Sequence, residues 1–340
     1  MRTVRMSLAA GFMAMSVGVG PVAAADTVSA EVIAAALGLG AAEQARLRAG
    51  EIVSSEIEET TEKQLAVALA LMVPARLEDI AARVAEGTTL EANTAIQAYG
   101  AIDPAQVGGA AFAGITLDVG EVNRLLEVEP GADFNLSTAE IALFQNLAQQ
   151  HKAGDPAAAD AVNAAWREML AGRLQAYLAG GLDGIAPYDR GGGDSSSAAD
   201  DLRAAAEAAT LVRQAVPELH QAFAAYPDQG VAEAEHRFFW TEQVADDRPV
   251  YILTHRMAQQ RPDMLLVLSR DFYVSHSFNA SQGAAGALPV EGGVVVFYAN
   301  RTSSDQVAGF MSGMRHQIGR GMMRDSLVAA MDEIRTAVQR

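Results

Sequence analysis

The chain has 340 residues, half of them hydrophobic, no cysteine, and a formal net charge of −17. That charge argues against nucleic acid, whose phosphates need a basic surface, and against a peripheral hold on anionic lipid headgroups. Without cysteine there is no disulfide, no thiolate metal site, no cysteine nucleophile and no lipid-modified cysteine of an exported lipoprotein.

The opening MRTVRMSLAAGFMAMSVGVGPVAAAD has the three parts of a secretory signal peptide. Arg2 and Arg5 supply the positive end, residues 6–19 an uncharged and mostly apolar core, and Ala23-Ala24-Ala25 a cleavage site before Asp26. The core falls short of the roughly 20 residues that a membrane span needs. A periplasmic or secreted protein is expected, cleaved after Ala25, with no transmembrane segment in the mature chain. Losing two arginines and no acid takes the charge from −17 to −19. About 315 residues remain, ample for a core without disulfides.

Residues 26–119 hold N-terminal helices and the first part of a sheet domain. SAEVIAAALGLG and AAEQARLRAG are short helical patterns stopped by glycine, and EIVSSEIEE is an edge-type strand. KQLAVALALMV is continuously apolar; Pro74 and the helical ARLEDIAARVAEG after it favour a strand that stops before a helix.

Residues 120–235 read as a helical insertion. EVNRLLEV, STAEIALFQNLAQQ, DPAAADAVNAAWREMLAGRLQAYLAGG and SSAADDLRAAAEAATLVRQAV have helical spacing, and Val162, Trp166, Met169, Leu170, Leu174 and Tyr177 fall on one stripe. Gly180 to Ser197 between them reads as an exposed glycine- and serine-rich loop. Its triple glycine lacks the spacing and the lysine of a phosphate cradle.

Residues 236–340 carry the densest strand signals, HRFFWTEQ, PVYILTHRM, MLLVLSRDFYVSHSFNAS and GGVVVFYANRTSSD, followed by one long helical pattern from Asp305. An apolar strand, a proline and a short helix near the start, with antiparallel strands and a long helix at the end, resemble the START-like helix-grip superfamily. LTHRM, LSRDFYVSHSFNAS and FYANRTSSD in that order are similar to a group of exported bacterial proteins with no established activity. The resemblance implies an α+β fold: a helix-grip-like antiparallel sheet with a long C-terminal helix, here plus the helical insertion.

No HExxH, GxSxG or strand-borne GxGxxG occurs, and no two histidines stand four apart, so neither a metal nor a cofactor is expected. Alternation along PVYILTHRM sets Leu253 and His255 on one inward face. His255 and His276 lie on neighbouring strands and are the histidines that could converge. With regular pairing Tyr273 shares a face with Asp271, and Arg270 with His276. Arg270, Tyr273, His276 and Arg301 could close an apolar pocket with a polar end that holds a lipid carboxylate or hydroxyl; alternatively, the arginines pair with surface acids. Val296 and Tyr298 on the last strand, with Phe310 and Met314 of the methionine-rich helix, would complete the walls.

The leading expectation is non-catalytic binding of a small apolar or amphipathic ligand, such as a lipid, between sheet and C-terminal helix. One alternative is an enzyme using His255 or His276 as acid–base in the same cavity; another is a protein-interaction module of the cell envelope.

Overall fold

The structure, a computed structural model, describes residues 34, 37–86, 96–152, 154–231, 234–245, 247–309 and 312–338. The expected signal peptide and Phe310 lie outside the described residues. Among the described residues no helix is long and apolar enough to cross a membrane.

The fold is α+β, built on one eight-stranded antiparallel sheet. Its strands are β1 (Val53–Glu56), β2 (Gln64–Val73), β3 (Ile96–Ile102), β6 (Glu235–Ala245), β7 (Arg248–Arg261), β8 (Met264–Val274), β9 (Ala280–Val290) and β10 (Gly293–Ser303). They run in the order β1-β2-β10-β9-β8-β7-β6-β3. Strands β6 to β10 form a meander, and β2 joins it by pairing along β10 from Val73↔Val294 to Gln64↔Ser303. β2 is apolar on both faces because both are covered, which is why its sequence shows no alternation.

The helices are α1 (Ala41–Arg48), α2 (Leu77–Glu86), α3 (Val119–Leu126), α4 (Thr138–Gln150), α5 (Pro156–Gly180), α6 (Ala198–Glu207), α7 (Thr210–Ala215), α8 (Pro217–Ala224) and α9 (Ser312–Val338). Helix α4 begins with a capping box in which Ser137 and Glu140 satisfy each other's backbone amides. Helices α3 to α8 cover one face of the sheet, here called the front. There the Val162–Tyr177 stripe of α5 packs on Phe238, Trp240, Tyr251, Leu253, Phe272 and Tyr273.

The back face takes α2 and α9, with Leu77, Ile80, Leu327, Val328 and Met331 against Val67, Leu69, Leu71, Val294 and Val296. Among the apolar side chains of α9 this packing begins at Met323. Met314 and Ile318 are each 57% exposed and Met322 70%. The expected methionine-lined lid is therefore corrected: at Met314, Ile318 and Met322 its stripe faces outward. The tight approach falls at Gly319, where a β-carbon would stand 2.7 Å from Leu65 Cδ1.

The segment read as an exposed loop also differs. Its end forms a hairpin, β4 (Tyr188–Gly191) with β5 (Asp194–Ser196), turned by Gly191, Gly192 and Gly193, all at positive φ. Tyr188 and Ser196 are buried beneath it. Tyr188 Oη donates to Asn279 O at 3.0 Å, and Arg190 reaches Asp305 at 3.0 Å. The glycines serve a tight turn, and the rest of the segment is anchored.

Candidate functional site

Antiparallel pairing carries one row of side chains straight across the front face: Phe238, His255, Arg270, Gln282, Arg301 and Ala66 on β6, β7, β8, β9, β10 and β2. The row is polar at its centre although the helical block covers it. Arg270 is 0% exposed, and Gln282 and Arg301 are each 9% exposed.

A bulge in β8 shapes this row. The register shifts between Leu253 and Thr254, so that Leu253 faces Tyr273 while Thr254 faces Asp271 and Phe272 is the extra residue. Regular alternation would have put Tyr273 with Asp271. Instead Arg270, Phe272 and Tyr273 all reach the front. Tyr177 of α5 stacks on Phe272 with ring centroids 4.1 Å apart.

The buried polar groups form a directed chain. Arg270 Nη1 donates to Tyr177 Oη (3.0 Å), Nη2 to Phe223 O (3.0 Å) and Nε to Gln282 Oε1 (3.3 Å). Its guanidinium also lies 4.2 Å from the Phe223 ring centroid. Tyr177 Oη and His255 Nδ1 are 2.8 Å apart, and His255 Nε2 and His236 Nδ1 2.9 Å. An arginine can only donate. The order that uses every hydrogen therefore has Tyr177 donating to His255 Nδ1 and His255 Nε2–H donating to His236. That order requires both imidazoles to be neutral. Burial lowers the His255 pKa well below the ordinary histidine value, helped by the Arg270 charge and by His236; burial also lowers that of His236.

Arg301 sits on the other side of Gln282. Its Nη1 donates to Glu58 O (2.6 Å) and Gln64 Oε1 (2.7 Å), and its Nη2 to Ala208 O (3.1 Å), just past the C-terminal end of α6. Burial pulls its pKa down, with Glu58 and Glu59 opposing. Among the described residues neither Arg270 nor Arg301 forms an ion pair with a carboxylate, although the chain is strongly acidic. The expectation that they pair with surface acids is therefore corrected: both are interior cations held by neutral acceptors.

Beside this row lies a cavity of about 430 Å³, between β8–β10, helices α6 to α8, and residues 37–38 and 57–60. Its walls are mostly apolar, with Leu37, Ile57, Leu211, Val212, Phe223 and Leu268 prominent; Glu58, Thr60 and His220 also line it, and Gln282 and Arg301 stand on its floor. The volume is in the range of about 300–1,000 Å³ common for small-molecule sites.

The residues singled out in the sequence divide between the two faces. Leu253, His255, Arg270, Tyr273 and Arg301 are on the front, while Val296 and Tyr298 are on the back with α9. Of the sequence-derived set, Arg301 alone touches the front cavity. Leu253 lies on the front, Val296 on the back and Met314 is exposed, so these three line no common cavity; a cavity of about 350 Å³ between β1–β2 and α9 is lined instead by Ser54, Ser55, Val67, Gln317 and Arg320. His276 and His255 do not converge: His276 Nε2 lies 3.0 Å from Pro249 O and Nδ1 2.7 Å from Ser277 Oγ, whereas His255 meets His236. Asp271 faces the back and accepts from Thr254 Oγ1 at 2.7 Å, so it is no partner for either histidine. Burial drives its pKa up to about 6, against the Thr254 hydrogen bond and the Arg256 charge.

Sequence reasoning missed Tyr177, His236, Phe223 and Gln282. Tyr177 sat on a stripe that reads as plain core. Gln282 carried the one available signal, a long polar side chain inside the small-residue run ASQGAAGA. Among the described residues no group of three or more histidine, aspartate or glutamate side chains is placed to hold a metal ion. Comparison with family models, with curated proteins and with solved structures finds no match.

Proposed function

We propose that the protein binds a small apolar or amphipathic molecule, without transforming it, in the front cavity between β8–β10 and helices α6 to α8. The observation that carries this reading is the cavity itself: about 430 Å³, mostly apolar walls, and two polar side chains together on the floor. This moves the expected ligand site from the C-terminal helix to the opposite face of the sheet.

The acid–base alternative draws less support. Among the described residues His255 is bonded at both ring nitrogens and reaches no carboxylate, and it does not line the cavity. General acid–base catalysis needs a group within hydrogen-bond reach of the reacting atom.

Native mass spectrometry of the purified protein tests the binding reading, with Ala299→Trp as the control because Ala299 lines the cavity. A co-purifying small amphiphile present in the wild type and absent from the variant is expected. A wild type that stays ligand-free and also fails to take up any alkyl probe contradicts it.

Two further readings stand beside this one. Export is supported by the signal-like residues 1–25, and N-terminal sequencing of protein from the periplasm should begin at Asp26. A helix-grip-like arrangement is supported by the C-terminal half of α9 packing on one face of an antiparallel sheet; an experimental structure with α9 elsewhere would contradict it.

A further inference from the structure

Of the polar side chains that line the cavity, Glu58, Thr60 and His220 come from the covering segments, whereas the two contributed by the sheet, Arg301 and Gln282, turn hydrogen-bond donors toward it. A guanidinium has five N–H groups, and Arg301 uses three of them on Glu58 O, Gln64 Oε1 and Ala208 O. The Nε–H and one Nη2–H remain, and Nε and Nη2 are the two nitrogens of one edge of the planar fork. That edge is the one which takes a carboxylate by two parallel bonds. Arg301 Nε is also not among the unpartnered polar atoms sealed away from solvent, unlike Arg173 Nε and Tyr273 Oη elsewhere in the fold.

Gln282 adds to the same polarity. Its Oε1 is taken by Arg270 Nε, so the group left for the cavity is the amide Nε2–H₂. Arg270 and Arg301 flank Gln282 on the two adjacent strands, so two buried positive charges sit on either side of this amide without an ion-paired acid among the described residues. An uncompensated interior cation is costly to hold, and a bound anion removes that cost.

We infer that the ligand of this cavity is an alkyl or aryl monocarboxylate. Its carboxylate is gripped by the Nε–Nη2 edge of Arg301 and the Gln282 amide, and its tail lies against Leu211, Val212, Phe223 and Leu268. This rests on the cavity-binding reading and narrows it to one ligand class.

The test is calorimetric titration of the full chain with decanoate, decanol and decyl phosphate at neutral pH. Decanoate is expected to bind at least ten-fold more tightly than decanol. Arg301→Gln should erase that preference while leaving decanol within two-fold, but Arg301 also holds Glu58 O, Gln64 Oε1 and Ala208 O together, so this variant loses fold contacts as well. Gln282→Glu avoids this difficulty: the new carboxylate sits between Arg270 and Arg301, should raise the melting temperature, and should weaken decanoate at least ten-fold with decanol little changed. Equal affinity for decanoate and decanol overturns the anion inference and leaves apolar binding standing. A preference for decyl phosphate over decanoate overturns the carboxylate assignment. Absence of binding by all three probes removes both the inference and the reading beneath it.

Discussion

The phenol oxygen of Tyr177 lies 2.8 Å from His255 Nδ1, at the point where α5 meets the sheet. The same oxygen takes a hydrogen from Arg270, so one hydroxyl holds two buried polar side chains of the sheet against the helical block. Tyr177→Phe leaves His255 and Arg270 each short of a partner where water does not reach. A buried donor or acceptor left unmatched costs about 1–3 kcal/mol. Urea unfolding of the variant should show a lower midpoint with an unchanged slope; an unchanged midpoint would show that the network holds nothing together.

Acid should weaken the fold through the histidines. Both His236 and His255 have folded pKa values below the ordinary 6.5, so below that pH the unfolded chain binds more protons than the native one. Their contribution is complete above 6.5 and is lost as the pH falls toward their folded values. Asp271 acts in the opposite sense. Its folded pKa of about 6 exceeds the ordinary 3.8, so its contribution is complete below 3.8 and is lost as the pH rises through about 6. Asp271→Asn removes that counterweight, so stability measured from pH 6.5 down to 4 should fall more steeply in the variant. Parallel profiles would contradict the assignment.

Two glycines of α9 separate packing from propensity. Gly321 has open space where a β-carbon would stand, whereas Gly319 lies against Leu65. Gly321→Ala should raise stability by up to about 1 kcal/mol. Gly319→Ala should gain less or lose, because Leu65 must yield. Thermal melts of the pair give the comparison, and equal gains would show that α9 does not sit closely on β2.

Trp240 is held in a slot cut by two glycines. A β-carbon at Gly114 would meet Trp240 Cζ2 at 2.7 Å, and one at Gly100 would meet the indole nitrogen end. Overpacking of a filled core costs about 1–3 kcal/mol. Gly114→Ala should therefore destabilise the protein and shift its tryptophan emission; unchanged stability would place Trp240 elsewhere.

Much of the fold was readable because it rests on local signals. The apolar run of β2 followed by Pro74, the capping box at Ser137 and the Val162–Tyr177 stripe each announce their element within a few residues. What stayed hidden depended on pairing. β9 is alanine- and glycine-rich, since its front and back neighbours, Phe297 over Gly286 and Tyr298 beside Gly283, need the space. That composition erases the usual strand signal. The bulge at Phe272 reverses the face of every residue after it, so Tyr273 could not be placed by counting. The partner of His255 proved to be His236, and only the β6–β7 register reveals that the two are near. Arg301 was visible as a polar residue ending a strand, but its donors and the cavity beside it are set by Glu58, Gln64 and Ala208, each far away in sequence or on another element.

The central claim is that the front cavity receives a ligand, and the most direct measurement is a crystal structure of the protein soaked with 10-bromodecanoate. The expected result is an anomalous bromine peak between β8–β10 and helices α6 to α8, with carboxylate density on the Nε–Nη2 edge of Arg301. A cavity filled by its own side chains, with bromine bound only on the outer surface or not at all, would contradict it.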